Sequence, residues 1–371
     1  AFSPDGRELA TAGRDKNVRI WDISTGYPSP KQPVLSHKEW VRDVSFLPQQ
    51  NRLVTVANDT AYLWTLDDPK APLCSFIQGS PIYGAFAVSR DGSLLATAGN
   101  GSRIARMIKV WDLTRLSSKP EPVTTIDVAG AWVMGLAFSP DGYSLATACV
   151  QQGEADQAST TVVWNIKTGK EILRVPINIA SDAVAFTPDG ESLVTASRDS
   201  WVRVWQPAMD TLERLIAKNN KPIAPRNEIT SNGPADIRWS ERILAGHSDR
   251  VRNIALSPDG RRIASASGDN TAKIWDTATG ENLLTLIGHE GFVEAVKFSP
   301  DGHHVATSSR DKSVKFWNIE GHTTAVMSIA FSPDGKTLAT GSVDRTAKLW
   351  DLSRGAPRLR HTLRGHADQV Y

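Results

Sequence analysis

Residues 247–276 read HSDRVRNIALSPDGRRIASASGDNTAKIWD, and this stretch decides the fold. A His precedes an apolar run, the turn Ser257-Pro258-Asp259-Gly260 follows, and a second apolar run leads to an Asp and to a third run that ends Trp-Asp. Pro presets φ at the first central turn position and Gly supplies a positive φ, so this turn between two alternating runs predicts a β-hairpin. The same order of features returns in residues 289–318 and 322–351.

The closing Trp recurs along the whole chain. Successive copies are 43, 47, 53, 41, 70, 42 and 33 residues apart, which centres on the forty-odd residues expected when each repeat makes one four-stranded sheet. Seven of the eight copies keep the Asp-Gly turn, and the exception is Leu47-Pro48-Gln49-Gln50. One repeat alone is too small to hide its faces, so stability must come from stacking the repeats. The eight residues are Trp21, Trp64, Trp111, Trp164, Trp205, Trp275, Trp317 and Trp350.

With these motifs in place, the chain resembles the WD-repeat β-propellers over essentially its whole length. Phrases such as Ala-Phe-Ser-Pro-Asp-Gly at residues 1–6 resemble the prokaryotic members most. The resemblance implies an all-β fold, a closed β-propeller of four-stranded antiparallel blades. We expect eight blades. The alternative is a seven-bladed ring with one unit displaced as a docking arm.

We expect a single propeller over residues 1–371. The chain opens at Ala1-Phe2 inside a strand pattern and ends with Gly365-His366 and the opening of another strand. We therefore predict that the N- and C-terminal segments share one blade and close the ring, which would remove exposed strand edges. Residues 206–240 carry several breakers and are predicted to form an irregular insertion.

The spacing between two copies is unusually short. Only four residues separate Trp317 from His322, whereas thirteen separate Trp275 from His289. An ordinary outer strand has no room there. Either one outer strand is absent or the sequence skips residues.

The family resemblance also implies a side-chain network in each blade, made of a turn Asp, the His of the Gly-His pair, a Ser or Thr of the second strand and the Trp of the third. In residues 247–276 the members would be His247, Asp269, Trp275 and either Ser265 or Ser267, since residues two apart share a strand face. The other predicted sets are His289, Asp311 and Trp317; His322, Asp344 and Trp350; His366 with Asp15 and Trp21 in the closing blade; and, less completely, His37, Thr55, Asp59 and Trp64. Three copies lack the Gly-His pair and are expected to have incomplete networks, at Gly79-Ser80, Gly130-Ala131 and Ala180-Ser181.

The His-Asp-Ser grouping could be taken for a hydrolase triad. Here it recurs in several copies and ends on a Trp, which favours the structural interpretation. The chain has no Gly-x-x-x-x-Gly-Lys phosphate loop, no His-Glu-x-x-His and no Gly-x-Ser-x-Gly motif. We therefore predict no catalytic residues, no metal site and no cofactor, and we do not expect an enzyme.

Composition sets the remaining limits. The net charge of +2 gives no electrostatic case for nucleic acid. Cys74 and Cys149 have no metal-ligand spacing, which favours a reducing compartment and a cytoplasmic location. The sequence shows no apolar run of membrane-spanning length and no signal peptide, so no membrane association is expected.

The resemblance implies that partners bind at one end of the propeller, called here the top face. It is formed by the loops that join an outer strand to the next inner strand and by the turns between second and third strands. Aromatic and Arg side chains dominate protein-binding hot spots. The predicted partner-binding residues are Trp40, Trp132, Trp201, Phe292, Arg14, Arg198, Arg250 and Arg310.

The aromatic members have two interpretations. Trp40, Trp132 and Phe292 each precede the first apolar residue of an inner strand, so they could instead pack under a neighbouring loop. Trp201 is the best single candidate, because the matching copies have the small polar residues Thr271 and Ser313.

The sequence thus predicts a non-catalytic scaffold or sensor that binds a protein or peptide on the top face. We expect it to be the C-terminal part of a larger multidomain signalling protein with a covalently joined effector domain. The alternative is an enzyme or small-ligand-binding propeller with its site in the central channel.

Overall fold

The computed structural model of the protein describes residues 1–24, 29–48, 51–82, 85–100, 106–117, 119–128, 131–150, 159–175, 179–207, 239–319, 326–343, 346–352, 358–363, 368 and 370. Strands, turns and bends make up this part of the chain, which contains no helix. The strands form eight sheets, and within each sheet the strands pair in chain order. The prediction of an all-β fold with four-stranded antiparallel sheets is confirmed, and six of the eight sheets have four strands.

The first four sheets cover the described part of residues 8–175. Sheet 1 contains β1 (Glu8–Ala12), β2 (Asn17–Asp22) and β3 (Ser29–Ser36). Sheet 2 contains β4 (Val41–Phe46), β5 (Arg52–Ala57), β6 (Thr60–Thr65) and β7 (Cys74–Ile77). Sheet 3 contains β8 (Phe86–Val88), β9 (Leu94–Ala98), β10 (Met107–Asp112) and β11 (Thr124–Asp127). Sheet 4 contains β12 (Trp132–Phe138), β13 (Ser144–Val150), β14 (Ser159–Asn165) and β15 (Glu171–Val175).

The last four sheets follow in the same pattern. Sheet 5 contains β16 (Ser181–Phe186), β17 (Leu193–Ser197), β18 (Val202–Pro207) and β19 (Trp239–Leu244). Sheet 6 contains β20 (Val251–Leu256), β21 (Arg262–Ser267), β22 (Ala272–Asp276) and β23 (Asn282–Leu286). Sheet 7 contains β24 (Val293–Phe298), β25 (His304–Ser309) and β26 (Val314–Asn318). Sheet 8 contains β27 (Val326–Phe331), β28 (Thr337–Ser342), β29 (Ala347–Asp351) and β30 (Arg358–Leu363).

Sheets 1 and 7 have three strands each. In sheet 1 the inner strand is represented by Ala1 and Phe2, which pair with Ala10 and Leu9. In sheet 7 the described residues include no outer strand, in line with the short spacing after Trp317.

The predicted insertion is bounded by strands. Gln206 and Pro207 belong to β18, and Trp239 and Ser240 belong to β19 and pair with them. Residues 208–238 lie outside the described residues. The two ends of the insertion are therefore held side by side in sheet 5.

Two compact units divide the chain, Ala1–Lys315 and Phe316–Tyr371. In the first unit the inner strands β8, β12, β16, β20 and β24 contact one another in succession. In the second unit the Val370 N–H donates to Ser342 O at 3.0 Å. The Val41 N–H makes the matching bond to Gly13 O at 3.2 Å in the first unit. Val370 thus follows sheet 8 with the same backbone hydrogen bond by which Val41, the first residue of β4, follows sheet 1. His366 lies outside the described residues, and the shared closing blade stays a prediction.

The turn between inner and second strands is built from its own residues. The Ser257 hydroxyl donates to Asp259 Oδ1 at 2.5 Å, and Arg262 N–H donates to Ser257 Oγ at 2.9 Å. The Gly260 N–H closes the turn on Ser257 O at 2.9 Å with φ at +71°, in the left-handed region that favours glycine. The same Ser or Thr to Asp bond recurs at Ser3, Ser89, Ser139, Thr187, Ser299 and Ser332.

These turns also touch one another within the first unit. A Cβ placed on Gly260 would lie 3.0 Å from Pro188 Cδ in the turn of sheet 5. The equivalent pairs are Gly92 with Pro48, Gly190 with Pro140, Gly302 with Pro258, and Gly6 of sheet 1 with Pro300 of sheet 7. Glycine therefore serves both the turn and the approach of the neighbouring proline.

The Trp of a third strand packs on the preceding sheet. Trp275 of sheet 6 shares a core cluster with Val194, Val204 and Leu244 of sheet 5. Trp205, Trp111 and Trp64 lie in the same way among buried residues of sheets 4, 2 and 1. Each of these side chains removes a large apolar area from water, so it joins two sheets that would be unstable apart.

Candidate functional site

The network of sheet 6 is assembled as four buried side chains in contact. His247 Nδ1 is 2.7 Å from Asp269 Oδ2, and His247 Nε2 is 2.7 Å from Ser265 Oγ. The Trp275 Nε1–H donates to the same Ser265 oxygen at 2.8 Å. Ser267 instead donates to Asp249 O at 2.8 Å, which settles the choice that the sequence left open.

The network continues into the neighbouring repeats. In sheet 7, His289 is 2.6 Å from Asp311 Oδ2 and 2.7 Å from Thr307 Oγ1, while Trp317 lies in β26. In sheet 8 the Trp350 N–H donates to Thr340 Oγ1 at 2.9 Å. His322 and Asp344 lie outside the described residues. The Trp-to-hydroxyl bond also joins Trp21 to Thr11, Trp64 to Thr55, Trp111 to Thr97, Trp164 to Thr147 and Trp205 to Thr195.

Sheet 3 departs from the expected incomplete network, because a glutamine takes the place of the histidine. The Thr97 hydroxyl donates to Gln78 Oε1 at 2.6 Å, and Gln78 Nε2 donates to Met107 O at 2.8 Å. The signal was present in the sequence. Gln78 precedes Thr97 by nearly the same interval as His247 precedes Ser265.

In two other sheets an arginine forms an ion pair with the turn Asp. Arg19 pairs with Asp15 in sheet 1, and Arg203 pairs through both terminal nitrogens with Asp199 in sheet 5. In sheet 2 the predicted member Asp59 accepts from the Thr60 hydroxyl at 2.9 Å. The turn Asp thus takes whichever donor its own repeat supplies.

The pKa of both His-bound Asp residues lies below the ordinary range. Burial raises the pKa of the Asp269 carboxyl, but hydrogen bonds from His247 and Thr271 outweigh it and lower the pKa. At Asp311 the Ser313 hydroxyl is the largest cause of the lowered pKa, and His289 adds to it. These carboxylates are ionised acceptors at neutral pH. Ser265 is fully buried and bound by Trp275, so the geometry supports a structural role rather than a nucleophile.

Each predicted top-face aromatic lies against an arginine. The guanidinium carbon of Arg14 is 5.1 Å from the Trp40 ring centroid, and that of Arg106 is 5.0 Å from the Trp132 ring. Trp201 pairs with Arg203 at 5.1 Å. Phe292 contacts two arginines, Arg252 at 4.8 Å and Arg310 at 5.2 Å. These distances are within the range of cation–π attraction.

Exposure separates the four aromatics. Trp40 is 48% exposed and Trp201 is 38% exposed, whereas Trp132 and Phe292 are half-buried. Trp201 also has a packing role that the sequence did not reveal. Its ring contacts Arg203, which is only 3% exposed and forms ion pairs with Asp199 and Glu241.

The remaining predicted arginines converge on two carboxylates. Arg198 and Arg250 both bind Asp182 through Nε, the first at 3.3 Å. Arg310 binds Glu294 through Nε, and Arg252 Nη1 lies 3.5 Å from the same carboxylate.

Three β-bulges, one in each of sheets 5, 6 and 7, position Asp182, Arg252 and Glu294. The inner strands of sheets 5, 6 and 7 shift register between Ser181 and Ala183, Val251 and Asn253, and Val293 and Ala295. The residue inside each bulge has no partner in the ladder, and bulges re-aim side chains next to functional sites. The sequence gives only a weak signal for these three residues, because their shared feature is that each is the second residue of an inner strand.

A cavity of about 700 Å³ lies among the inner strands of the first unit. Its lining combines apolar strand residues with Asp43, Arg90, Asp182 and Lys297. Burial raises the pKa of the Asp43 carboxyl, although Lys297 and the Val44 N–H act in the opposite direction. Among the described residues no group of three or more His, Cys, Asp and Glu could hold a metal ion. In the same residues no helix is long and apolar enough to span a membrane.

Repeated antiparallel sheets, with the third-strand Trp of sheets 2, 3, 5 and 6 buried against the preceding sheet, define a repeat protein of the propeller class. The chain belongs to the WD40 family: the model described as "WD domain, G-beta repeat" matches just over half of it. The matched residues are 1–22, 29–65, 182–206, 239–276, 280–318 and 319–351.

Three curated relatives show the breadth of the similarity. Transcriptional corepressor LEUNIG_HOMOLOG of Arabidopsis thaliana is 26% identical over 295 residues, which cover 74% of this chain and 34% of that protein. Protein LST8 homolog of Drosophila melanogaster is 22% identical over 271 residues, which cover 72% of this chain and 75% of that protein. Nuclear distribution protein nudF of Aspergillus niger is 25% identical over 302 residues, covering 77% and 60%. The chain spans about a third of the plant protein. These relatives are eukaryotic and give the expected prokaryotic affinity no support.

Proposed function

We propose that this protein is a non-catalytic interaction scaffold or sensor that holds a protein or peptide partner on its top face. The observation that carries the proposal is the repeated aromatic–arginine pair at this end of sheets 1 to 7, described above for Trp40, Trp132, Trp201 and Phe292. Such pairs present rigid, amphipathic contact area, the kind that hot spots use. One relative is named a transcriptional corepressor and another a nuclear distribution protein, and neither name denotes a catalytic activity, which agrees with the proposal.

Trp40 is the residue at which the proposal is best tested. It is the most exposed of the four aromatics, and its single described ring contact is the exposed Arg14 side chain. Its truncation should therefore affect binding far more than folding. Tyr143 offers a matched control, because it is 65% exposed and lies in a turn at the opposite end of sheet 4.

The experiment compares affinity capture from a lysate of the source organism by wild type, Trp40→Ala and Tyr143→Ala. A partner retained by wild type and Tyr143→Ala but lost by Trp40→Ala supports the proposal. Equal capture by all three proteins, at equal melting temperature, would contradict a top-face site at Trp40. Capture of no specific partner by wild type would contradict the scaffold function.

Two further features of the expectation remain proposals. We place the protein in the cytoplasm, and its two cysteines, Cys74 and Cys149, are both free and buried. We also propose an effector domain joined to this chain in a longer parent protein. The chain covers 34% of the plant relative and 60% of the fungal one, which supports it.

One observation favours the alternative of a small-ligand or catalytic site in the cavity. A carboxyl with a raised pKa facing a cavity is typical of functional sites, and Asp43 fits that description. A thermal-shift screen with small cationic ligands tests it. A ligand that stabilises wild type but not Asp43→Asn would support the alternative, and no such ligand would leave it without support.

A further inference from the structure

Four arginines of sheets 5 to 7 form one feature, which we call the arginine cluster: Arg198, Arg250, Arg252 and Arg310 around Asp182 and Glu294. Asp182 is buried, with its side chain only 5% exposed, and Glu294 is partly exposed. The two carboxylates anchor the arginines from within the top face. Their bulge positions fix them on the strands rather than on loops.

The anchoring leaves a surplus of hydrogen-bond donors. A guanidinium group has five N–H donors in a planar fork. Arg198, Arg250 and Arg310 use Nε on their carboxylates, and the described residues supply no acceptor for their terminal Nη groups. Arg310 is 60% exposed and Arg198 is 37% exposed, so these donors face solvent. Asp249, in the same loop as Arg250, accepts from the Arg250 N–H at 2.6 Å.

The cluster also carries an apolar surface. The Phe292 ring lies within about 5 Å of both Arg252 and Arg310, and it is half-buried. A ligand that engages the free guanidinium edges would therefore lie beside a half-buried aromatic ring. Planar carboxylates match the guanidinium fork through two parallel hydrogen bonds.

We propose that the arginine cluster selects the partner, and that the partner is a peptide segment rich in Asp and Glu. This inference rests on the proposed top-face function and names the chemistry of its ligand. Nucleic acid is less suited, since its affinity comes from an extended row of cations, whereas these four arginines share two carboxylates and the chain has a net charge of only +2.

The test uses the full chain and fluorescence anisotropy with three labelled probes: a Glu-rich peptide, its Gln-for-Glu counterpart and a single-stranded oligonucleotide. The variants are Arg198→Gln and Arg310→Gln, each of which leaves its carboxylate with the second arginine. Arg115→Gln is the matched control, because Arg115 binds the carboxylate of Asp112 at 3.1 Å at the opposite end of sheet 3. Equal melting temperatures establish that the variants are folded.

We expect the Glu-rich peptide to bind wild type and Arg115→Gln alike, with about a tenfold loss for each cluster variant and a further loss as salt rises. Tighter binding of the Gln-rich peptide or of the oligonucleotide would overturn the proposal. So would cluster variants that bind as wild type does.

A selection from a displayed random-peptide library separates the two levels of failure. Enriched peptides that need Trp40 but show no excess of Asp and Glu would overturn the acidic preference and leave the top-face function standing. No enriched peptide at all would count against both.

Discussion

Removing one hydroxyl from sheet 6 should destabilise the protein strongly. Ser265 is fully buried, and its oxygen is the shared partner of His247 and Trp275. Ser265→Ala leaves both of these groups without that partner, and each buried polar group so orphaned costs about 1–3 kcal/mol. With partial relaxation of the site, we expect the free energy of unfolding to fall by about 2–4 kcal/mol.

The assay must read sheet 6 directly, because the chain has two compact units and its unfolding need not be a single transition. Native-state hydrogen exchange of residues 251–276 gives a local free energy of opening. Ser144→Ala is the control. Ser144 is a half-buried strand residue for whose hydroxyl the described residues provide no hydrogen bond, so its change should stay within about 0.5 kcal/mol.

A double-mutant cycle with Trp275→Phe isolates the bond itself. Phe keeps most of the ring and lacks the N–H, so Ser265→Ala should cost less in the Trp275→Phe background than in wild type. Additive effects, or a loss for Ser265→Ala no larger than that for Ser144→Ala, would refute the reasoning that the shared hydroxyl holds the network together.

Three further outcomes are expected. Trp201→Ala should lower the local free energy of opening of sheet 5 by about 0.5–1 kcal/mol, measured by native-state hydrogen exchange of its strands, because the ring's attraction for Arg203 is lost. Gly92→Ala should lower the melting temperature more than Gly142→Ala: both have φ near +73° to +74°, but only at Gly92 does the new Cβ meet Pro48, at 2.8 Å. The pKa of Asp269 is lower in the folded protein than the ordinary Asp pKa of 3.8. Its ionised form therefore stabilises the fold at pH values above 3.8, and this contribution is lost as the pH falls below that value. The stability advantage of wild type over Asp269→Asn should accordingly shrink in denaturation curves recorded below about pH 4.

The fold could be predicted from the repeat, because each copy of the sequence motif independently predicts the same order of strands. The three-stranded sheet 7 could also be foreseen, since chain length alone limits what four residues can form. Ring closure depends on segments such as that around His366, outside the described residues, and it stays a prediction.

Side-chain pairing was harder to predict, for physical reasons. Ser265 and Ser267 share a strand face, so only the positions of Asp249 and Trp275 distinguish them. Gln78 replaces a histidine because an amide also has both a donor and an acceptor, and a pattern of residue names does not express that equivalence.

Several top-face contacts join different repeats, which explains why the sequence indicated these residues but not their partners. Arg250 and Asp182 are 68 residues apart, and Arg252 and Glu294 are 42 apart. No local pattern brings such residues together. Only the stacking of neighbouring sheets does so.

The bulge near the start of six of the inner strands gives the fold a position at which the side chain can vary. It holds Arg42, Met134, Asp182, Arg252, Glu294 and Met327 in six of the sheets, a set that differs in charge and size. Because the ladder skips this residue, its identity can change without rewriting the strand pairing. Related chains could therefore differ in the partners that they bind through substitutions at these bulge positions, while the core of each sheet stays the same.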